Sequence, residues 1–120
     1  MPSPQLEDGF TRIANEILEA LADSRFHIPV EARRIIDVVF RKTYGFRKKK
    51  DMISLSQFQA ITKMSRAHIC RAIKRAISLN IIARSGNGMT KEYSIQKDYS
   101  LWRSLPRRAI KVLTIAPVGN

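Results

Sequence analysis

The chain has a single cysteine, Cys70, and only two histidines, His27 and His68, in 120 residues. One thiol cannot build an internal disulfide framework or a cysteine-rich zinc site, and it accords with a reducing cytosolic compartment. No apolar run approaches the roughly 18 residues needed to cross a bilayer, so no membrane contact is expected. The opening stretch MPSPQLED lacks the basic-then-apolar order of an export signal. Acids are few, with 10 Asp and Glu against 22 Lys and Arg. No metal-binding cluster, phosphate-cradling glycine loop or nucleophile–base pair stands out, so neither an enzyme nor a cofactor is expected. His68 has no acidic partner nearby in sequence to make it a general base.

What the chain does have is positive charge. The formal net charge is +12 and the pI about 10.6, which favours polyanionic partners. The charge is also unevenly placed. Residues 1–40 hold seven acids and four bases, a net of −3, whereas residues 41–120 hold three acids and 18 bases, a net of +15. The partner surface is therefore expected in the second two-thirds. At 44% hydrophobic residues, 120 residues suffice for one domain with one small core.

Periodicity places the elements. Residues 1–9 read as a flexible lead-in, residues 10–105 as the domain and residues 106–120 as a basic tail. Thr11 is a candidate N-cap for a helix over about 11–23 that uses Ile13, Ile17, Leu18 and Leu21. A second helix is expected over about 29–43, with Pro29 in its first turn, Gly45 as its stop and Phe46 folded back onto the core. A basic turn, Arg47 to Lys50, precedes a short strand at 52–54. Ser56 is the expected cap of a short helix that uses Phe58 and Ile61. Ser65 is the expected cap of a longer helix to about Leu79, with Asn80 as a left-handed stop. Residues 81–84 and 91–95 read as two strands joined by a glycine-containing hairpin loop, and residues 98–102 as a segment packed back on the domain.

This order of helix, helix, strand, short helix, turn, longer helix and hairpin is that of a winged helix-turn-helix, mainly α with a small β-hairpin. At 100° per residue, Ile69, Ile73 and Ile77 fall within about 80° of one another, so they mark the inner side, with Cys70 expected as a small core residue beside them. His68, Arg71, Lys74 and Arg75 fall on the opposite arc, while Ser65 and Arg66 sit at the N-terminus, where backbone N–H groups favour phosphate. Such a helix fits the major groove of double-stranded DNA. Arg71 is the best candidate to read a guanine edge; Arg66, His68 and Arg75 are candidates for base or phosphate contact, and Lys74 for phosphate. In the hairpin, Arg84 and Lys91 flank the loop and Asn87 is a candidate contact. Lys48, Lys49 and Lys50 are expected to clamp the DNA backbone. Together these residues predict roughly 6–8 phosphate contacts and a log–log salt slope of about −5 to −7. The same cations also suit a plain solvated surface, and the same fold serves transcriptional regulators and protein-interaction modules.

Five stretches carry a family resemblance. The run from Gln5 to Glu16, the segments Lys42 to Phe46 and Lys49 to Gln57, the run Ser65 to Ile69, and the closing Lys97 to Trp102 resemble the N-terminal domain of the bacteriophage replication initiators called protein O, over about residues 4–103. That resemblance implies binding of repeated sites at a replication origin, inside an infected bacterial cell. It also implies helicase loading through a separate C-terminal region; this chain stops at Asn120, so a helicase partner is expected only if such a region belongs to the protein. The lead-in has no evident physical task, and a cover for the core or a homodimer contact on DNA are its two candidate roles.

Overall fold

The structure is a computed structural model and describes residues 2–87 and 91–103. Four α-helices are found among them: α1 (Asn15–Ala22), α2 (Val30–Lys42), α3 (Leu55–Thr62) and α4 (Arg66–Ser78). Three strands, β1 (Lys50–Met52), β2 (Ile82–Ser85) and β3 (Glu92–Ile95), form one antiparallel sheet in the order β1-β3-β2. The expected hairpin is thus part of a three-stranded sheet. The short segment before α3 is not a lone strand, because its backbone groups pair with β3 through the register Lys50↔Ser94, Asp51↔Tyr93 and Met52↔Glu92. Basic tail residues 106–120 and loop residues 88–90 lie outside the described residues.

The core lies where α2, α4 and the sheet meet. α2 buries Ala32, Ile35, Ile36, Val38, Val39 and Phe40, and α4 buries Ile69, Ala72, Ile73 and Ala76. The α4 set recurs every three or four residues and lies on one stripe, whereas α2 also buries three successive residues, Val38, Val39 and Phe40, and so buries a broader side. Phe58, the one buried residue of α3, meets the buried Tyr93 of β3 edge to face, with ring centroids 5.3 Å apart. That pair ties α3 to the central strand. The chain then closes on itself: the Trp102 indole N–H donates to the Gln96 carbonyl at 2.6 Å, and the Tyr99 hydroxyl donates to Glu16 of α1 at 2.9 Å.

The boundaries depart from expectation in instructive places. α1 starts at Asn15, and its cap position is Ala14 with no side-chain bond, so Thr11 does not cap it. Pro29 stands at the cap position of α2 rather than inside the first turn. α3 is capped by Ser54, not Ser56: the Ser54 Oγ accepts from the Gln57 N–H and the Gln57 side chain accepts from the Ser54 N–H, a complete capping box. Ile61 is exposed, so Phe58 is the buried anchor of α3, with the half-buried Leu55 packed beside it. Ser65 does cap α4, accepting from the His68 N–H at 3.3 Å, and Asn80 is left-handed with φ 59°.

Gly45 is not the stop of α2. That helix ends at Lys42, and Tyr44–Phe46 form a 3-10 turn whose left-handed exit residue is Arg47, φ 57°. A Cβ at Gly45 would stand 2.8 Å from the Arg41 guanidinium, the movable end of a long side chain, and 3.2 Å from the Thr11 hydroxyl. Phe46 does not fold back onto the core. It is 53% exposed, with the Arg41 guanidinium over its ring at 5.0 Å. The lead-in forms a 3-10 turn at Leu6–Asp8, and no residue from 2 to 10 is buried, so it does not cover the core.

Candidate functional site

α4 presents two chemically different sides. Its inner stripe is apolar, and the rest of its surface bears Arg66, His68, Arg71, Lys74 and Arg75, all exposed. The helix contains no acid. Among the described residues no ion pair engages Arg66, Arg71, Lys74, Arg75, Arg84 or Lys91. Their charge is therefore uncompensated by close contacts, and it projects into solvent.

Two clefts flank this helix. One, of about 460 Å³, lies between α4, the start of α3 and the sheet, and brings Arg66 and Lys74 together with Arg84 of β2 and Lys91 beside β3. The β2–β3 register holds this arrangement, with Arg84 opposite Tyr93 and Ser85 opposite Glu92. Ser54 and Ser56 line the same cleft. Cys70 lines it too and is exposed, not a core residue. Helical phase explains this: Cys70 lies about 100° from Ile69, at the edge of the stripe, where no neighbouring element covers it. The second cleft, about 160 Å³, lies against the start of α2 and brings together His68, Arg71 and Arg75 with Glu31. Arg71 thus sits on the α2 side of the helix, away from the hairpin. Asn87 is exposed in the β2–β3 connection, and Ser65 is exposed at the head of α4.

Lys48, Lys49 and Lys50 are not brought into either cleft. With Arg47 they line a separate groove of about 780 Å³, together with Arg12, Tyr44, Lys97 and the α1 residue Ile17. Because β1 runs antiparallel to β3, the chain before Lys50 lies towards the end of β3 that is opposite the β2–β3 loop. Two of these lysines are engaged in ion pairs, Lys48 with Asp51 at 3.4 Å and Lys50 with Glu92 at 3.6 Å. Burial pushes the Tyr44 hydroxyl pKa up, so that ring stays neutral. Arg12 and Lys97 are cations that sequence reasoning did not single out. Their positions, 85 residues apart along the chain, carry no local signal of adjacency. Ser54 did carry one, since a serine with glutamine three residues on is a capping box.

The described residues contain no group of three or more potential metal-binding side chains, and no helix among them is long and apolar enough to cross a membrane. What the geometry defines is a small domain of four helices and a three-stranded sheet that displays an unpaired cationic helix next to a hairpin. Residues 3–102 match the family model described as bacteriophage replication protein O, and the chain belongs to that family. It is 32% identical over 100 residues to DNA replication protein gp18 of Salmonella phage P22, covering 83% of this chain and 35% of that one. It is 29% identical over 97 residues to replication protein 15 of Enterobacteria phage phi80, covering 81% and 32%. Replication protein O of Escherichia phage lambda is 32% identical over 97 residues, covering 81% and 27%. The chain thus matches about a third of the length of these relatives. No solved structure matches it.

Proposed function

We propose that this chain is a winged helix-turn-helix domain that binds specific sites in duplex DNA at a phage replication origin, as part of replication initiation. α3 and α4 are the helix-turn-helix, α4 is the recognition helix, and β2 and β3 with their connection are the wing. The observation that carries this reading is the uncompensated cationic surface of α4 beside the hairpin, in a chain belonging to a family of phage replication proteins. Arg71 is the base reader, because a guanidinium can bond guanine O6 and N7 together and lysine cannot. Arg66, Lys74, Arg84 and Lys91 hold phosphates on the hairpin side, and His68 and Arg75 flank Arg71 on the other. Ser65 and Asn87 are further contacts at the head of the helix and in the wing.

Besides Arg71, the five cations of this surface, Arg66, Lys74, Arg75, Arg84 and Lys91, set about five phosphate contacts per copy and a log–log salt slope of about −4.5. The decisive experiment selects binding sites from random duplexes on the purified chain, then titrates the selected and a random duplex at one fixed salt concentration. Arg71→Ala is expected to cost about 1–3 kcal/mol on the selected duplex and much less on the random one. Arg71→Lys keeps the charge and loses much of the discrimination. Failure to enrich any sequence, together with a salt slope near zero in the folded chain, sinks the reading. Equal weakening of both duplexes by Arg71→Ala moves base reading to Arg66, His68 or Arg75. A selected site found in promoters rather than in a repeated origin array points to transcriptional control.

A further inference from the structure

The groove lined by Arg47 to Lys50 shares no residue with the two clefts beside α4. Three distant stretches of chain supply its cations: Arg12 before α1, the turn after α2, and Lys97 after β3. No carboxylate lines it, and one, Asp8, lines the groove that continues from it. Lys48 and Lys50 have acidic partners, whereas Arg12, Arg47, Lys49 and Lys97 have no ion pair among the described residues. Its remaining lining is largely apolar, with Ile17, Ile95 and the neutral Tyr44. A purely phosphate-binding surface does not need that apolar component.

A second groove of about 450 Å³ continues from the first, sharing Arg12, Tyr44 and Arg47 with it. Phe10 and Phe46 line this continuation, and both rings are more than half exposed. A phenylalanine left half open to water forgoes much of the gain of burial, and here two of them border the same run of cations. The Arg41 guanidinium lies over one face of Phe46 at 5.0 Å, which leaves Phe10 and the opposite face of Phe46 for a base. Cations that follow a backbone, beside exposed aromatic rings, are the combination that holds single-stranded nucleic acid. A duplex keeps its base faces stacked inside and offers nothing to Phe10 and Phe46. We therefore propose that this continuous groove, centred on Arg47, binds a single DNA strand, with Arg12, Arg47, Lys49 and Lys97 on its phosphates and Phe10 and Phe46 against its bases. The proposal is independent of duplex binding by α4.

The test measures fluorescence anisotropy of a labelled oligo-thymidine of about 15 nucleotides, near the upper end of single-strand site sizes, alongside a random duplex. Phe46→Ala is expected to weaken oligo-thymidine binding about tenfold, the equivalent of one stacked base, and to leave the duplex within about twofold. Phe46→Trp should restore the binding. The double variant Arg47→Glu with Lys49→Glu should weaken oligo-thymidine at least as much, and Arg71→Ala should leave it unchanged. Circular dichroism checks that each variant folds; Phe46 is exposed, so Phe46→Ala decides the matter if the double variant does not fold. No oligo-thymidine binding by the unaltered chain overturns the proposal, as does an unchanged affinity in Phe46→Ala. Equal loss of duplex and single strand in the groove variants also overturns it, since the groove is then a duplex clamp. Single-strand binding without any duplex binding supports it and counts against the α4 reading alone.

Discussion

α3 and α4 follow one another after a three-residue turn, and they are built on opposite plans. α3 has eight residues, Leu-Ser-Gln-Phe-Gln-Ala-Ile-Thr, with no charge at all and one buried side chain, Phe58. α4 has 13 residues, four buried side chains and four cations with no acid. A helix of eight residues has too little of its own cooperativity to persist alone. The capping box at Ser54 and Gln57 and the Phe58–Tyr93 ring contact hold α3 in place. α4 is fixed along its whole inner stripe, so its outer side is free to carry like charges that no intrahelical partner offsets. The difference separates two tasks: one helix positions, and the other presents.

The comparison can be broken at the anchors. Phe58→Ala is expected to cost about 3–5 kcal/mol in urea denaturation, because it empties a buried ring site that a single residue fills. If the loss is under about 1 kcal/mol, the scale of a lone cap, α3 is held by something other than Phe58. Ile73→Ala should cost about 2–5 kcal/mol for the same physical reason. Its neighbours in the stripe share the load, so α4 should keep its helical signal in circular dichroism while the protein as a whole loses stability.

Smaller effects sharpen the contrast. Ser54→Ala removes one arm of the capping box and is expected to cost about 1 kcal/mol, read as a shift in the urea midpoint. Ser65→Ala removes a cap of the same chemistry, with its N–H···O distance at 3.3 Å, and should cost no more than Ser54→Ala. The reverse order would mean that α4 depends on its start more than on its stripe. Lys74→Ala, on the outer side of α4, should change stability by less than about 0.5 kcal/mol. A loss comparable to that of Ile73→Ala would show that the helical phase assigned to α4 is wrong.

Much of this plan is legible in the residues. Ile69, Ile73 and the cations opposite them announce the two sides of α4, because helical phase is local and needs no partner to define it. Ser65 and Asn80 mark its ends for the same reason. The site was legible in part. Arg66, Lys74, Arg84 and Lys91 share a cleft, as a helix followed by a hairpin suggests, but Arg71 and Arg75 face the start of α2, and the Arg47 to Lys50 cluster belongs to another groove. Cys70 and Phe46 were misplaced because an apolar residue at the edge of a stripe or just past a helix is buried only if another element arrives to cover it.

The phase and ends of α4 and the segregation of charge were therefore set by neighbours within a few residues, where backbone geometry and side-chain spacing act alone. The third strand, the exposure of Phe46 and Cys70, and the grouping of Arg12 with Lys97 depended on segments far apart in sequence. Lys50 pairs with Ser94 and Tyr99 bonds Glu16 only once the core formed by α2, α4 and the sheet has brought them together. Long-range contacts of this kind follow from the packing of several elements at once, so no local window of residues specifies them.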